Sequence, residues 1–199
     1  MSYGDNNSAI SNFGPQHTIS VPIVRFREFL ADTQQIGRGV VIGQPGADQT
    51  LETNKQTLIA EFVQRQRFTT AFPTTLTAAQ FVDNLFLNAG VVPTATDRDA
   101  AINEFGGPMS PTTDIGARGR ALRRVAENST LNQQEFNRAF VLAQFFGYLR
   151  RNPNDTPDSD YSGYEFWLTK LNQFNGNFVN AEMVKSFLVS GEYIQRFGP

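Results

Sequence analysis

Residues 139–149 read AFVLAQFFGYL, and the only strongly polar side chain among them is Gln144. A helix of that composition has no face fit for water, so it must be covered on most of its sides. The next stretch, RRNPNDTPDSDYSGYEFW, is a compact acidic turn that leads into a second aromatic segment. Any fold of this chain has to wrap other elements around that pair.

The rest of the composition can supply the cover. Of 199 residues 40% are hydrophobic and 18 are phenylalanine, enough for a sizeable aromatic core. The formal net charge of -2 and a pI near 5.4 argue against a nucleic-acid partner, which calls for a clear excess of Lys and Arg. With no cysteine there is no disulfide framework or thiol chemistry, and the redox compartment is left open. Apolar runs fall far short of the roughly 20 residues a membrane helix needs, and the first residues lack the apolar core of a signal peptide, so no membrane insertion is expected. Lysine occurs only at positions 55, 170 and 185, while Asn, Gln, Thr and Ser crowd the polar positions. That palette leans towards an extracellular bacterial protein.

The periodicity is helical throughout. Ile23, Phe26, Phe29 and Leu30 share one side of a helix predicted to start at Pro22; Leu51, Leu58, Ile59, Phe62 and Val63 mark a second, ending near Pro73. Thr77 and Gln80 form a capping box, with Leu76 and Phe81 at the positions of a hydrophobic staple. Further helices are predicted after Thr96, around Leu122 and Val125, from Thr130 with Gln133 as a second capping box, from Gly163 and from Asn180. No segment alternates as a strand, so the expected fold is all-α. Residues 1–20, rich in Gly, Asn and Ser, read as an extended N-terminal arm, and residues 21–198 as one helical domain.

Within that domain Phe81, Val82, Leu85 and Phe86 match Phe140, Val141, Phe145 and Phe146, and Leu122, Val125 and Ala126 match Val184, Phe187 and Leu188. Degenerate helical repeats are expected, in units of about 21–76, 77–131 and 132–198. The second match leads to a family. Arg150 and Arg151, Pro157 with Asp158, Gly163, Trp167, Phe187, Ser190, and Glu192 with Tyr193 reproduce a pattern of helix, Pro-Asp turn, Trp-bearing helix and Glu-aromatic ending. In this the chain resembles the bacterial family called domain of unknown function 4214; residues 77–131 follow the pattern poorly, lacking its Trp and its Asp-rich turn. The resemblance implies an all-helical, phycobilisome-linker-like fold, found on secreted or cell-surface proteins and without an established enzymatic activity.

Candidate chemistry is sparse. Asp158, Asp160 and Ser162, followed by Gly163, match positions one, three, five and six of a calcium-binding loop, whose hard oxygen ligands and Gly bend suit that ion. Position twelve, however, is Thr169 and not a bidentate Glu. The competing reading is an Asx turn that caps the Trp167 helix. Trp167, Tyr164, Leu168 and Leu171 share a helical stripe and read as core; a sugar platform would need Trp167 and Tyr161 to face solvent together. Arg118, Arg120, Arg123 and Arg124, with Arg150 and Arg151, form basic clusters that read either as internally paired helix faces or as a surface for carboxylates of a partner or an anionic polymer. His17 is the only histidine and lies in the arm, which weighs against His-based catalysis or a His-rich metal site. Paired carboxylates such as Asp160 with Glu165 are of the kind that hydrolyses glycosides, but Asp and Glu at such spacing are common at helix starts.

The expected function is therefore a non-enzymatic extracellular or cell-surface structural or interaction module. Its partners would be copies of itself or other surface proteins, with the arm filling a groove on the next copy to build a filament or other polymer. The alternative is a surface glycan-binding adhesion module, with calcium at Asp158, Asp160 and Ser162.

Overall fold

The computed structural model describes residues 24–198. These residues form an all-α fold: α1 (Phe26–Gly37), α2 (Ala47–Phe62), α3 (Gln66–Ala71), α4 (Ala78–Ala89), α5 (Ala95–Asn103), α6 (Ile115–Ala126), α7 (Ser129–Gln144), α8 (Ser162–Gln173), α9 (Met183–Leu188) and α10 (Gly191–Phe197). A π-helical turn, Phe145–Leu149, continues α7. Among the described residues there is no strand, and the β-type pairing is a single bridge between Thr77 and Pro111. No helix among them is long and apolar enough to cross a membrane. The arm of residues 1–20, with Pro22 and Ile23, lies outside the described residues.

Side-chain caps fix the starts of α4, α5, α6, α7 and α10. Thr77 behaves as its capping box predicts: Gln80 N donates to its Oγ1 at 3.3 Å, while Thr77 N donates to Gln80 Oε1 at 3.0 Å. The expected start after Thr96 moves to Thr94, whose Oγ1 accepts from Asp97 N at 3.1 Å. The start of α7 moves from Thr130 to Asn128, because the Asn128 Oδ1 accepts from both Thr130 N (3.0 Å) and Leu131 N (3.3 Å) and so satisfies two open amides at once. The helix expected from Asn180 starts at Met183 instead. Asn177 Oδ1 takes the amides of Val179 and Asn180 in an Asx turn before helical geometry can set in.

Two aromatic clusters hold these helices. The first gathers Phe68, Phe72, Phe81, Val82, Leu85, Phe86, Leu122 and Val125 from α3, α4 and α6. The second gathers Val141, Phe145, Phe146, Leu149, Tyr164, Leu168 and Phe187 from α7, the π turn, α8 and α9. Phe81, Val82, Leu85 and Phe86 lie in the first, and Val141, Phe145 and Phe146 in the second. Burying a side chain such as Phe81 or Phe146, both 2% exposed or less, stabilises the fold by about 2–3 kcal/mol.

Residues 24–76 divide their apolar side chains between the clusters. Phe26 and Phe29 of α1 lie on Phe146, with ring centroids 5.6 and 5.0 Å away. Val63, Phe68 and Phe72 belong to the first cluster. A pair of hydrogen bonds from Arg65 to Asp32, at 2.9 and 3.4 Å, ties the two ends of this segment together. Along α6, Gly119 lets α2 approach closely: a Cβ there would come within 3.1 Å of Ile59 Cγ2.

Candidate functional site at the acidic turn

The turn between the π-helical segment and α8 is organised by Arg151. The residue before it, Arg150, has a left-handed backbone (φ 54°), which ends the helix and sends the next side chain inward. Arg151 is 7% exposed, and it spends every guanidinium N–H. Nε donates to Glu192 Oε1 at 2.8 Å; Nη2 donates to Glu192 Oε2 at 2.9 Å and to Asp158 Oδ2 at 2.7 Å. Nη1 donates to the carbonyls of Asn152, Pro153 and Asp155 at 3.0–3.1 Å. Its guanidinium carbon also lies 5.5 Å from the centre of the Phe145 ring.

The loop is pinned a second time by α1. Asn152 Oδ1 accepts from Phe26 N at 2.7 Å, and Arg25 donates to Asn154 Oδ1 at 2.9 Å and to Asp155 Oδ1 at 3.4 Å. Asp155 Oδ2 in turn accepts from both nitrogens of Asn152. The partners on α1 were not legible as part of a site, because those bonds join residues about 130 positions apart.

The calcium candidates take the following places. Asp158 faces Arg151, so one of its oxygens is already engaged by a cation. Asp160 Oδ1 accepts from Ser162 N at 2.8 Å, an Asx turn at the start of α8; the Ser162 hydroxyl and then its amide hold the carboxyl below its usual range. Ser162 and Gly163 are the first two residues of α8. Among the described residues no group of three or more His, Cys, Asp or Glu side chains could hold a metal. Asp158 is thus engaged by Arg151, and Asp160 and Ser162 by the Asx turn at the start of α8.

Asp158, Glu192, Trp167, Phe187 and Ser190 lie around the same turn and its neighbouring helices. Arg151 joins Asp158 to Glu192. The Trp167 ring lies 5.5 Å from Phe187, and Ser190 caps α10 by accepting from Tyr193 N at 3.1 Å. Trp167 is half-buried, with Lys170 Nζ 5.2 Å above it and the exposed Phe166 edge-on at 5.1 Å.

The four arginines of α6 are engaged as well. Arg118 is buried, donating to the carbonyls of Thr112 and Phe72 over the Phe81 ring. Arg120 and Arg124 both donate to Glu104, at 2.7 and 2.6 Å, and Arg123 pairs with Glu52 and Glu127. Glu52 is held at a pKa of about 2, chiefly by the Arg123 hydrogen bond and then by Gln56.

Two open grooves flank α2, each of about 520 Å³. One runs along α6 past Glu104, Arg120 and Arg124, and its charges are largely matched within it. The other is mostly apolar, bounded by Leu58, Phe62, Ala89, Leu122, Phe136 and Ala139. Sequence reasoning missed it, because four helices have to meet before it exists. Comparison with protein-family models, with curated proteins and with solved structures found no match.

Proposed function

We propose that this chain is a non-enzymatic structural or interaction module of the bacterial surface or the extracellular space, working by association with copies of itself. The observation that carries this reading is the amount of large apolar surface left open along α7 to α10. Phe136, Phe166, Val179 and Val189 are each about 60% exposed or more, and Phe178 and Phe197 are more than 40% exposed. Phe136 stacks on Phe140, and Phe140 on Phe178, so one aromatic row extends from the apolar groove across the surface. Apolar surface gathered in this way marks an association site on a stable domain. The charged side chains most able to do chemistry are meanwhile engaged in holding turns and helices together. Support for the surface setting comes from the lysine-poor palette and from the resemblance to the family called domain of unknown function 4214.

The glycan-binding alternative has one observation in its favour, the half-buried Trp167 beside exposed Phe166. Sedimentation velocity and electron microscopy of the purified protein test the main reading. Discrete oligomers or filaments are expected; a monomer at every concentration, together with retention on a glycan array, would replace it with the alternative.

A further inference from the structure

We infer that the apolar groove between α2, α4, α6 and α7 receives the N-terminal residues 1–23 of a neighbouring copy, which deepens, and rests on, the self-association proposed above. Four observations lead there.

The groove is open and apolar, and its charges are already matched: Arg123 pairs with Glu127, and Glu135 with Arg138. It therefore suits a segment with little charge of its own. Residues 1–23 contain a single charged side chain, Asp5, and offer Ile10, Phe13, Ile19 and Val21 as apolar anchors. Acidic or basic peptides lack that match.

The root of the segment and the groove lie towards opposite ends of α7. Val24 packs on the second cluster, and Arg25 and Phe26 are bonded to the loop at 152–155, beyond the C-terminal end of the π turn. The groove meets α7 from Leu131 to Ala139. From Phe136 to Phe146, which carries α1, the helix rises about 15 Å. A segment leaving one end of a copy thus meets a groove set towards the other end of the next, a head-to-tail contact that propagates.

Reach is sufficient. The eleven steps from Phe13 to Val24 span up to about 36 Å when extended, enough to cross a boundary between two packed copies. Finally, exposed Phe136 and Phe178, joined through half-buried Phe140, form a row that starts at the rim of the groove, so a docked segment would continue a surface that is already apolar.

The test uses full-length chains in sedimentation velocity, with circular dichroism as the check on folding. One variant carries Ile10→Asp and Phe13→Asp, another Phe136→Asp and Ala139→Arg, and a control carries Leu87→Asp, an exposed apolar site outside the groove lining. The first two are expected to weaken assembly about tenfold or more, the control to leave it unchanged. Mixing the first two variants should give a heterodimer that grows no further, since each supplies the half that the other lacks. The segment variant alters nothing among the described residues, so it decides the question even if the groove variant fails to fold. Assembly that survives the segment variant, or that is lost equally in the control, overturns this docking and leaves self-association standing. A wild-type chain that is monomeric up to hundreds of micromolar overturns both.

Discussion

Arg151 and Glu192 stand 41 positions apart in sequence and share two parallel hydrogen bonds, Nε to Oε1 at 2.8 Å and Nη2 to Oε2 at 2.9 Å. This fork couples the acidic turn to α10, and the same guanidinium reaches Asp158 and three backbone carbonyls. Replacing Arg151 with Ala strands all of these acceptors, so a loss of about 3 kcal/mol is expected in chemical denaturation. Arg151→Lys should recover little of it, because an ammonium cannot reproduce a planar fork. An alanine variant as stable as wild type would show the network to be dispensable.

Phe146 is the second point of leverage. It is 2% exposed, and both Phe26 and Phe29 rest on it. Phe146→Ala should cost about 3–5 kcal/mol through the cavity it leaves. It should also release α1 ahead of the rest, which hydrogen exchange would read as faster exchange of the α1 amides than of those in α4.

The contact of α2 with α6 depends on the missing Cβ of Gly119. Gly119→Val would drive a branched side chain into Ile59, and a destabilisation of about 1–3 kcal/mol is expected from the overpacking. The thermal midpoint of that variant checks the point. Its partner, Ile59→Ala in the Gly119→Val background, should recover part of the loss by making room.

Acid should weaken the fold through Glu52 and Glu104. Burial raises the Glu104 pKa, but the Arg120 and Arg124 hydrogen bonds outweigh it and leave it lowered; Glu52 is brought from 4.5 to about 2. A carboxyl with a depressed folded pKa contributes its stability above the unfolded pKa and loses it as pH falls through the folded one. The urea midpoint is therefore expected to be level above about pH 5 and to drop between pH 4.5 and 2. Glu52→Gln should flatten that slope. A midpoint that rises on acidification would contradict these assignments.

Calcium offers a separate check on the acidic turn. With Asp158 held by Arg151 and Asp160 by the Ser162 amide, millimolar calcium is expected to leave the melting temperature unchanged. A saturable rise that Asp160→Asn abolishes would restore the loop at Asp158, Asp160 and Ser162 as an ion site.

Much of the architecture was written locally. Thr77 with Gln80 announced α4, since a capping box is made by residues three apart and needs nothing else. The apolar run from Ala139 to Leu149 required a buried helix, and burial of Val141, Phe145, Phe146 and Leu149 meets that demand. The all-α class followed from a period of 3.6 with no alternation. Errors arose where two local signals competed: Asn128 outbid Thr130 for the start of α7, and Asn177 delayed α9 to Met183.

The site was less legible. Asp158 and Asp160 sit two residues apart and look like ligands for one ion, yet their partners lie in opposite directions along the chain. Burial alone could not say that Arg151 would face inward and Arg150 outward; that depends on one residue with positive φ after a π turn. Sequence by itself determined the all-α class, the cap of α4 and the two aromatic stretches, because hydrogen bonding and periodicity act over a few residues. Only the tertiary structure decided which carboxylates meet Arg151, how residues 24–76 divide their apolar side chains between two clusters, and that a groove opens beside Phe136. Those outcomes hang on contacts between distant positions, and such contacts exist only once the helices have packed.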